Sequence, residues 1–209
     1  MADQHRSYRM TRRADSQEQT RRRITESAVT LHGTVGPAKT SISAVAALAG
    51  VRRSTVYRHF PNEAALFDAC TAHWVAANPL PDLAAWAVIT DPDERLYAAV
   101  CELYAFYRRT ERMFDNLFRD EADTPLVRER FSAFRGYLTA ARDTLMAGRT
   151  LRGARHRDTQ AAVGHAIAFS TWKSLVAEQE LQDVEAAILL RRLVDTASRQ
   201  DTSRTSRRS

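Results

Sequence analysis

The chain has 209 residues, 44% hydrophobic and 27% charged, with a formal net charge of +6, and it is long enough for one large or two small domains with a real core. Only seven Gly and six Pro, together with long periodic apolar stretches, point to an all-helical protein. No apolar run approaches a membrane span and no signal-peptide pattern opens the chain, so a soluble, cytoplasmic protein with no membrane partner is expected.

Residues 1–16 carry Arg6, Arg9, Arg12 and Arg13 with almost no apolar content and read as a disordered basic arm. Such an arm can touch DNA, but an idle tail is the commoner outcome. A helix is expected from near Gln17 to Leu31, with Ile24, Ala28 and Leu31 on its buried stripe. Thr40 or Ser41 then caps a second helix, and either hydroxyl can face a phosphate. In that helix Ile42, Val45, Ala46 and Ala49 fall at i, i+3, i+4 and i+7. Gly50 permits a tight turn and Val51 is placed to plug its corner. In the next helix Val56 and Phe60 face inward, while Arg53, Ser54, Tyr57 and Arg58 share the opposite face. Two short helices around a Gly turn, with a basic and hydroxyl-bearing outer face, read as helix-turn-helix. Forked Arg donors can bridge guanine edges or phosphates, and hydroxyls can bond phosphate oxygens. The plainer alternative is an ordinary helical hairpin with a solvated basic face.

From Thr20 to Phe67 the chain resembles the DNA-binding domain of the TetR family of bacterial repressors. The matching pieces are TRRRITESAVTLHG, the Gly36 turn, TSISAVAALAGV and STVYRHFPNEAALF, the most specific being Tyr57-Arg58-His59-Phe60-Pro61. The resemblance implies double-stranded operator DNA as a partner, adds Thr55 and His59 to the candidate DNA-binding residues, and makes the next helix a lever to a regulatory body. Three positions depart from the family pattern. Arg52 replaces the usual Ser or Thr cap, which costs roughly 1 kcal/mol of local helix stability, though Arg52 can reach a phosphate. Glu63 stands where a phosphate-binding Lys is common, so that contact is not carried over. His32 occupies the place of a core aromatic.

The next helix is expected to start at Pro61 or Asn62 and to carry Leu66, Phe67, Cys70 and Trp74 inward. Asn78-Pro79-Leu80-Pro81 marks a boundary, and a weakly patterned stretch with Trp86 follows. Asp91-Pro92-Asp93-Glu94 is a strong helix start, leading into Leu96, Val100, Leu103, Tyr104 and Tyr107 on one face. Met113, Phe114, Leu117 and Phe118 read as a separate short apolar element. Thr124-Pro125 opens a helix running to Gly148 on the stripe Val127, Phe131, Phe134, Leu138, Ala141 and Leu145. The last two helices, about 158–178 and 181–198, are apolar on two sides and so need burial on two sides. In the TetR family such helices form the homodimer interface, which here implies Val163, Ile167, Thr171, Leu175, Leu190, Leu193 and Val194. A monomer with a wide core is the alternative.

Candidate domains are therefore the arm 1–16, a helix-turn-helix domain with its linking helix at 17–77, a helical effector-binding and dimerisation domain at 78–198, and a disordered basic tail at 199–209. Residues 1–60 hold 11 Lys and Arg against 4 Asp and Glu, residues 61–198 hold 16 against 20, and residues 199–209 hold 4 against 1. That asymmetry fits a basic head on an acidic body. Trp86, Tyr104, Tyr107, Met113, Phe114, Phe134, Tyr137, His165, Phe169 and Trp172 are candidates for an effector pocket, although such stripes are more often core. Their hydroxyl, indole and imidazole groups each need a polar partner if buried. Cys70 and Cys101 read as buried thiols of a reducing compartment. The six His show no metal-ligand spacing, and there is no phosphate loop or nucleophile elbow, so no catalytic residue, metal or cofactor is expected. The expected function is a ligand-responsive DNA-binding transcriptional regulator, a repressor released from a pseudo-palindromic operator by a small apolar effector. The rival is a helical small-molecule-binding or enzymatic protein with a non-specific basic surface.

Overall fold

A computed structural model describes residues 2–199. Their regular structure is all helical: α1 (Ala2–Thr34), a 3-10 turn (Pro37–Lys39), α2 (Ile42–Leu48), α3 (Arg53–His59), α4 (Glu63–Ala77), α5 (Leu83–Ala87), α6 (Pro92–Asp120), α7 (Pro125–Met146), α8 (Gly153–Ala166), α9 (Phe169–Trp172), a π-helical turn (Lys173–Glu178) and α10 (Asp183–Ser198). The chain divides into two compact units. One holds the residues up to Pro79 together with Arg112–Phe131; the other holds Leu80–Glu111 and the chain from Ser132 onward.

Three elements differ from the expectation. Residues 2–16, read as a disordered arm, continue α1, because they lack Gly and Pro and extend a helix already nucleated by packing further on. The expected tail lies, from Gln200 onward, outside the described residues. Met113–Phe118 is no separate element but the end of α6. Leu103, Tyr107, Thr110, Phe114 and Leu117 step by three or four, so one stripe runs through unbroken. The helix expected over 158–178 is broken after Ala166, into α8, α9 and the π-helical turn. The stretch around Trp86, weakly patterned in sequence, forms α5, capped by the Asp82 side chain accepting from the Ala84 N–H.

In the first unit Ile24 and Ala28 of α1 bury against Ile42, Val45, Ala46, Ala49, Val56, Phe60, Leu66 and Cys70. Burial pushes the Cys70 thiol up to about 12, so it is inert as a nucleophile at neutral pH. His32 takes the aromatic place its position suggested. It is buried, and its ring lies 5.2 Å from that of Phe67. In the second unit Leu96, Ala99, Val100, Leu103 and Phe106 of α6 are enclosed with Ala141 and Leu145 of α7 and Val163 and Ala166 of α8. Arg95 is buried too, and its guanidinium donates to the carbonyls of Ile89, Thr90, Thr144 and Ala147. It thereby satisfies backbone groups at the end of α7 and before α6 that would otherwise be orphans.

Burial lowers the His32 pKa from 6.5 to about 4, with the Asp120 carboxylate acting in the opposite direction. The unfolded chain therefore takes up this proton before the folded chain does. Stability is full above pH 6.5 and falls as pH drops toward 4, by on the order of 3 kcal/mol from this group. Urea midpoints measured across that window for the wild type and for His32→Phe test this. The variant should lose part of the acid slope; identical slopes would refute the assignment.

Candidate nucleic-acid interface

The candidate interface is built from the end of α2 outward. Ser41 caps α2, its Oγ accepting from the Ala44 N–H at 3.1 Å. At the other end the Gly50 N–H donates to the Ala47 carbonyl at 3.1 Å and the Val51 N–H to the Ala46 carbonyl at 3.0 Å. With Gly50 at φ 63° this is a Schellman stop, which a side chain at Gly50 would strain. Helix α3 starts at Arg52 without a side-chain cap, as expected of an Arg there. Its inward side is fixed by Val56 and Phe60, 0% and 1% exposed.

Arg21 of α1, to which the sequence reading gave no role, secures the far end of α3. Its Nη1 donates to the His59 carbonyl at 2.9 Å and its guanidinium lies 4.3 Å from the centre of the Phe60 ring. A contact across 38 residues leaves no periodic signal, so only the folded chain reveals it.

With one side pinned, α3 presents Arg52, Arg53, Ser54, Tyr57 and Arg58 to solvent, with Thr55 half-buried at the edge. The Arg53 Nη2 donates to the Tyr57 hydroxyl at 3.3 Å, leaving that hydroxyl's own proton available for an outside acceptor. The Arg53 pKa is raised, first by that hydrogen bond. Ser41, exposed, likewise keeps its hydroxyl proton, because its Oγ acts as acceptor in the cap. Two candidates are turned inward. Thr40 donates its proton to the Gly36 carbonyl at 2.8 Å and cannot give it to a phosphate without breaking that bond. His59 is half-buried with Nε2 enclosed and unpartnered. Its pKa is lowered, first by burial and then by Arg58 and Arg21, with Glu18 opposing. A neutral ring facing the protein is poorly suited to hold a phosphate. Glu63 is exposed in the first turn of α4, which Asn62 caps through its Oδ1.

The ten candidate pocket residues do not form one group. Met113 and Phe114 belong to the first unit, where the Phe114 ring lies 6.0 Å from Trp74 and 5.8 Å from Phe131. In the second unit Trp86, Tyr104, Tyr107, Phe134, Phe169 and Trp172 are buried, Tyr137 is half-buried, and His165 is exposed. Most of their polar atoms are already paired. Trp86 Nε1 donates to Glu102 at 2.9 Å, Tyr104 to the Ala166 carbonyl at 3.1 Å, Tyr107 to the Ile167 carbonyl at 2.7 Å and Tyr137 to the Pro81 carbonyl at 2.9 Å. Burial raises the pKa of all three tyrosines. Trp172 Nε1 is the exception, a buried donor without a partner, with Phe169 stacked 5.4 Å away and Tyr107 at 6.2 Å.

Of the seven residues expected between copies, Val163, Ile167, Thr171, Leu190 and Val194 are buried inside the second unit's own core. Leu175 is half-buried and Leu193 is 51% exposed. On α10 Leu189 and Val184 are exposed as well. The sequence pattern could not tell a helix side packed on its own chain from one packed on a partner. Among the described residues there is no group of three or more His, Cys, Asp or Glu that could hold a metal ion, and no helix long and apolar enough to cross a membrane.

Comparison with known proteins bears on this geometry. Residues 24–70 match the family described as bacterial regulatory proteins, tetR family. No curated protein matches the chain. Among solved structures, a TetR-like transcriptional regulator from Rhodococcus sp. RHA1 superposes with a TM-score of 0.61 at 21% identity, covering 84% of this chain and 93% of its own. A tetR-family transcriptional regulator from Streptomyces coelicolor gives 0.55 at 20% identity, covering 86% and 79%. The fatty acid degradation regulator FadR from Bacillus halodurans gives 0.56 at 17% identity, covering 82% and 96%. At these identities the likeness establishes the fold, that of TetR-family transcriptional regulators.

If the outward face of α3 contacts nucleic acid, Arg53→Ala should weaken duplex binding by about 1–3 kcal/mol and relax the preference at one base position. Tyr57→Phe should weaken specific and random duplexes together, because its hydroxyl would hold a phosphate. Fluorescence anisotropy with both duplexes checks this, and unchanged affinity in both variants would remove this face from consideration.

Proposed function

We propose that this chain, whose residues 24–70 match the tetR family and whose fold is that of TetR-family transcriptional regulators, is a homodimeric repressor that a small, mainly apolar effector releases from a pseudo-palindromic operator. The observation that carries the reading is α3 itself. One side is fixed in the core by Val56 and Phe60, and the other offers Arg53, Tyr57 and Arg58 together. Two such helices, one from each copy, would enter successive major grooves. Phosphate contacts would supply most of the affinity and make it steeply salt-dependent, while the forked Arg donors would read bases.

The effector reading rests on the second unit's aromatic core. Its tyrosine hydroxyls have backbone acceptors, so among the described aromatic candidates the buried polar atom open to a ligand is Trp172 Nε1, with Thr159 Oγ1 also buried without a partner in the same unit. A flat, mainly apolar molecule with one hydrogen-bond acceptor would suit it. Such an effector acts only by binding the free and the operator-bound conformers with different affinity.

Selection of bound sequences from a random duplex library, followed by salt titration, tests the central reading. A pseudo-palindromic site should emerge, and its affinity should stay far above that for random duplex at moderate salt. Loss of both together as salt rises would instead mean a non-specific basic surface.

Dimerisation is tested through Leu193→Arg. The exposed leucines of α10 support a self-contact there, and a buried unpaired charge would be strongly unfavourable. The variant should sediment as a monomer with its helical circular dichroism intact and lose cooperative duplex binding. A variant that remains dimeric would place the interface elsewhere.

A further inference from the structure

The turn between α1 and α2 leaves backbone groups that its own helices cannot satisfy, and the tip of α6 satisfies them. At the end of α1 the Leu31 carbonyl accepts from both Val35 and Gly36 N–H, while the carbonyls of His32 and Val35 lie past the reach of the helical ladder. Asn116 Nδ2, on a residue 6% exposed, donates to the His32 carbonyl at 2.8 Å. Arg119 Nη2 donates to the Val35 carbonyl at 3.0 Å. Asp120, 5% exposed, accepts the Ala38 N–H on Oδ2 at 2.9 Å. The three side chains also bind one another. Arg119 Nη1 donates to Asn116 Oδ1 and its Nε to Asp120 Oδ1, both at 2.8 Å. Gly36, at φ 95°, completes the fit, since a Cβ there would collide with Arg119 Nη2 and Asp120 Oδ2.

The groups held in this way are the last turn of α1, the 3-10 turn and the approach to the Ser41 cap of α2. Their restraint comes from side chains some 80 residues further along the chain, as the separations of 82 to 84 show. The helix that supplies them begins in the second unit and ends in the first, as one unbroken α-helix.

We propose that Asn116, Arg119 and Asp120 act as a latch, a set of positioning residues that holds the α1–α2 turn and so fixes the pose of the helix-turn-helix for DNA; the inference rests on the reading of α3 as the DNA-binding helix. None of the three touches DNA in this scheme. They act by removing freedom from the turn that sets the entry into α2. Because α6 carries them, a shift or rotation of that helix reaches the turn directly as lost hydrogen bonds. Ordering this turn before binding spares the specific complex the entropy of ordering it afterwards. Non-specific binding, which uses phosphates in a looser pose, depends on it less.

The test uses the full chain, the duplex selected above and a random duplex of equal length. Asp120→Asn keeps an oxygen acceptor for Ala38 but loses the ion pair with Arg119; Asp120→Ala loses both. Asn116→Ala removes the bond to the His32 carbonyl and the one accepted from Arg119. The specific affinity should fall in the order Asn then Ala at position 120, reaching about tenfold for Ala, with the random-duplex affinity and salt slope unchanged. Amide exchange at Ala38 reads the latch independently of DNA and should accelerate in both Asp120 variants. Accelerated exchange with undiminished specific affinity would overturn the proposal. So would a parallel loss of both affinities and of thermal stability in Asn116→Ala, which would make these residues plain scaffold. If the wild type shows no preference for any duplex while Ala38 exchange still responds, the reading of α3 fails and the latch remains a structural feature without that role.

Discussion

Neither α2 nor α3, at seven residues each, could hold a helix alone in water, where roughly 12–15 residues are needed even for favourable sequences. What holds them is the burial of Val56 and Phe60 against Ile24, Ala28, Val45 and Ala46. Each large apolar side chain so enclosed stabilises by about 1.5–3 kcal/mol, several times what helix propensity could supply over one short helix. The outward face of α3 is thus a consequence of its inward face. Arg53 and Tyr57 point to solvent because Val56 and Phe60 cannot. The Schellman stop at Gly50 and the Arg21 contact with His59 and Phe60 then fix the two ends.

The second unit solves a different problem, the satisfaction of polar groups inside an apolar core. Helix α8 breaks at Ile167–Ala168, freeing carbonyls that a continuous helix would have bonded. Two hydroxyls take up those of Ala166 and Ile167, donated by Tyr104 and Tyr107, while Thr171 adds a second donor to the His165 carbonyl, which already accepts the Ala168 N–H. A break of this kind would be costly without the tyrosine donors, each unsatisfied buried carbonyl costing about 1–3 kcal/mol. The tyrosines that sequence suggested as ligand contacts therefore have a structural occupation. Arg95 does similar service at the other end of α6, bonding carbonyls before that helix and after α7.

Helix α6 links the two kinds of problem. Its first turns contribute to the second unit's core, and its last turn meets the polar requirements of the α1–α2 turn in the first. Continuity of the apolar stripe from Leu103 to Leu117 is what permits one helix to do both. The lowered pKa of His32 belongs to the same region, because its ring is buried near the Asp120 that receives Ala38.

The sequence by itself determined the helical class, the two short helices about Gly50, and which side of α3 faces outward. These are local properties, set by a 3.6-residue period and by backbone preferences acting over a few residues. It left the α2 cap between Thr40 and Ser41 and the α4 start between Pro61 and Asn62, and the fold chose Ser41 and Asn62. The family resemblance put His32 in the place of a core aromatic, and its ring is buried there against Phe67. What only the tertiary structure decided involves partners far apart in the chain. The inward turn of Thr40 and His59, the division of Met113 and Phe114 from the other aromatics, the break after Ala166 and the burial of Val163 and Leu190 within one chain are all of this kind. Periodicity says that a helix side is apolar, but not which surface it meets. A hydroxyl or guanidinium in a sequence likewise does not disclose which distant carbonyl it will satisfy. Those pairings are chosen by the need to leave no buried polar group unbonded once the apolar sides have packed, and that need exists only in the folded chain.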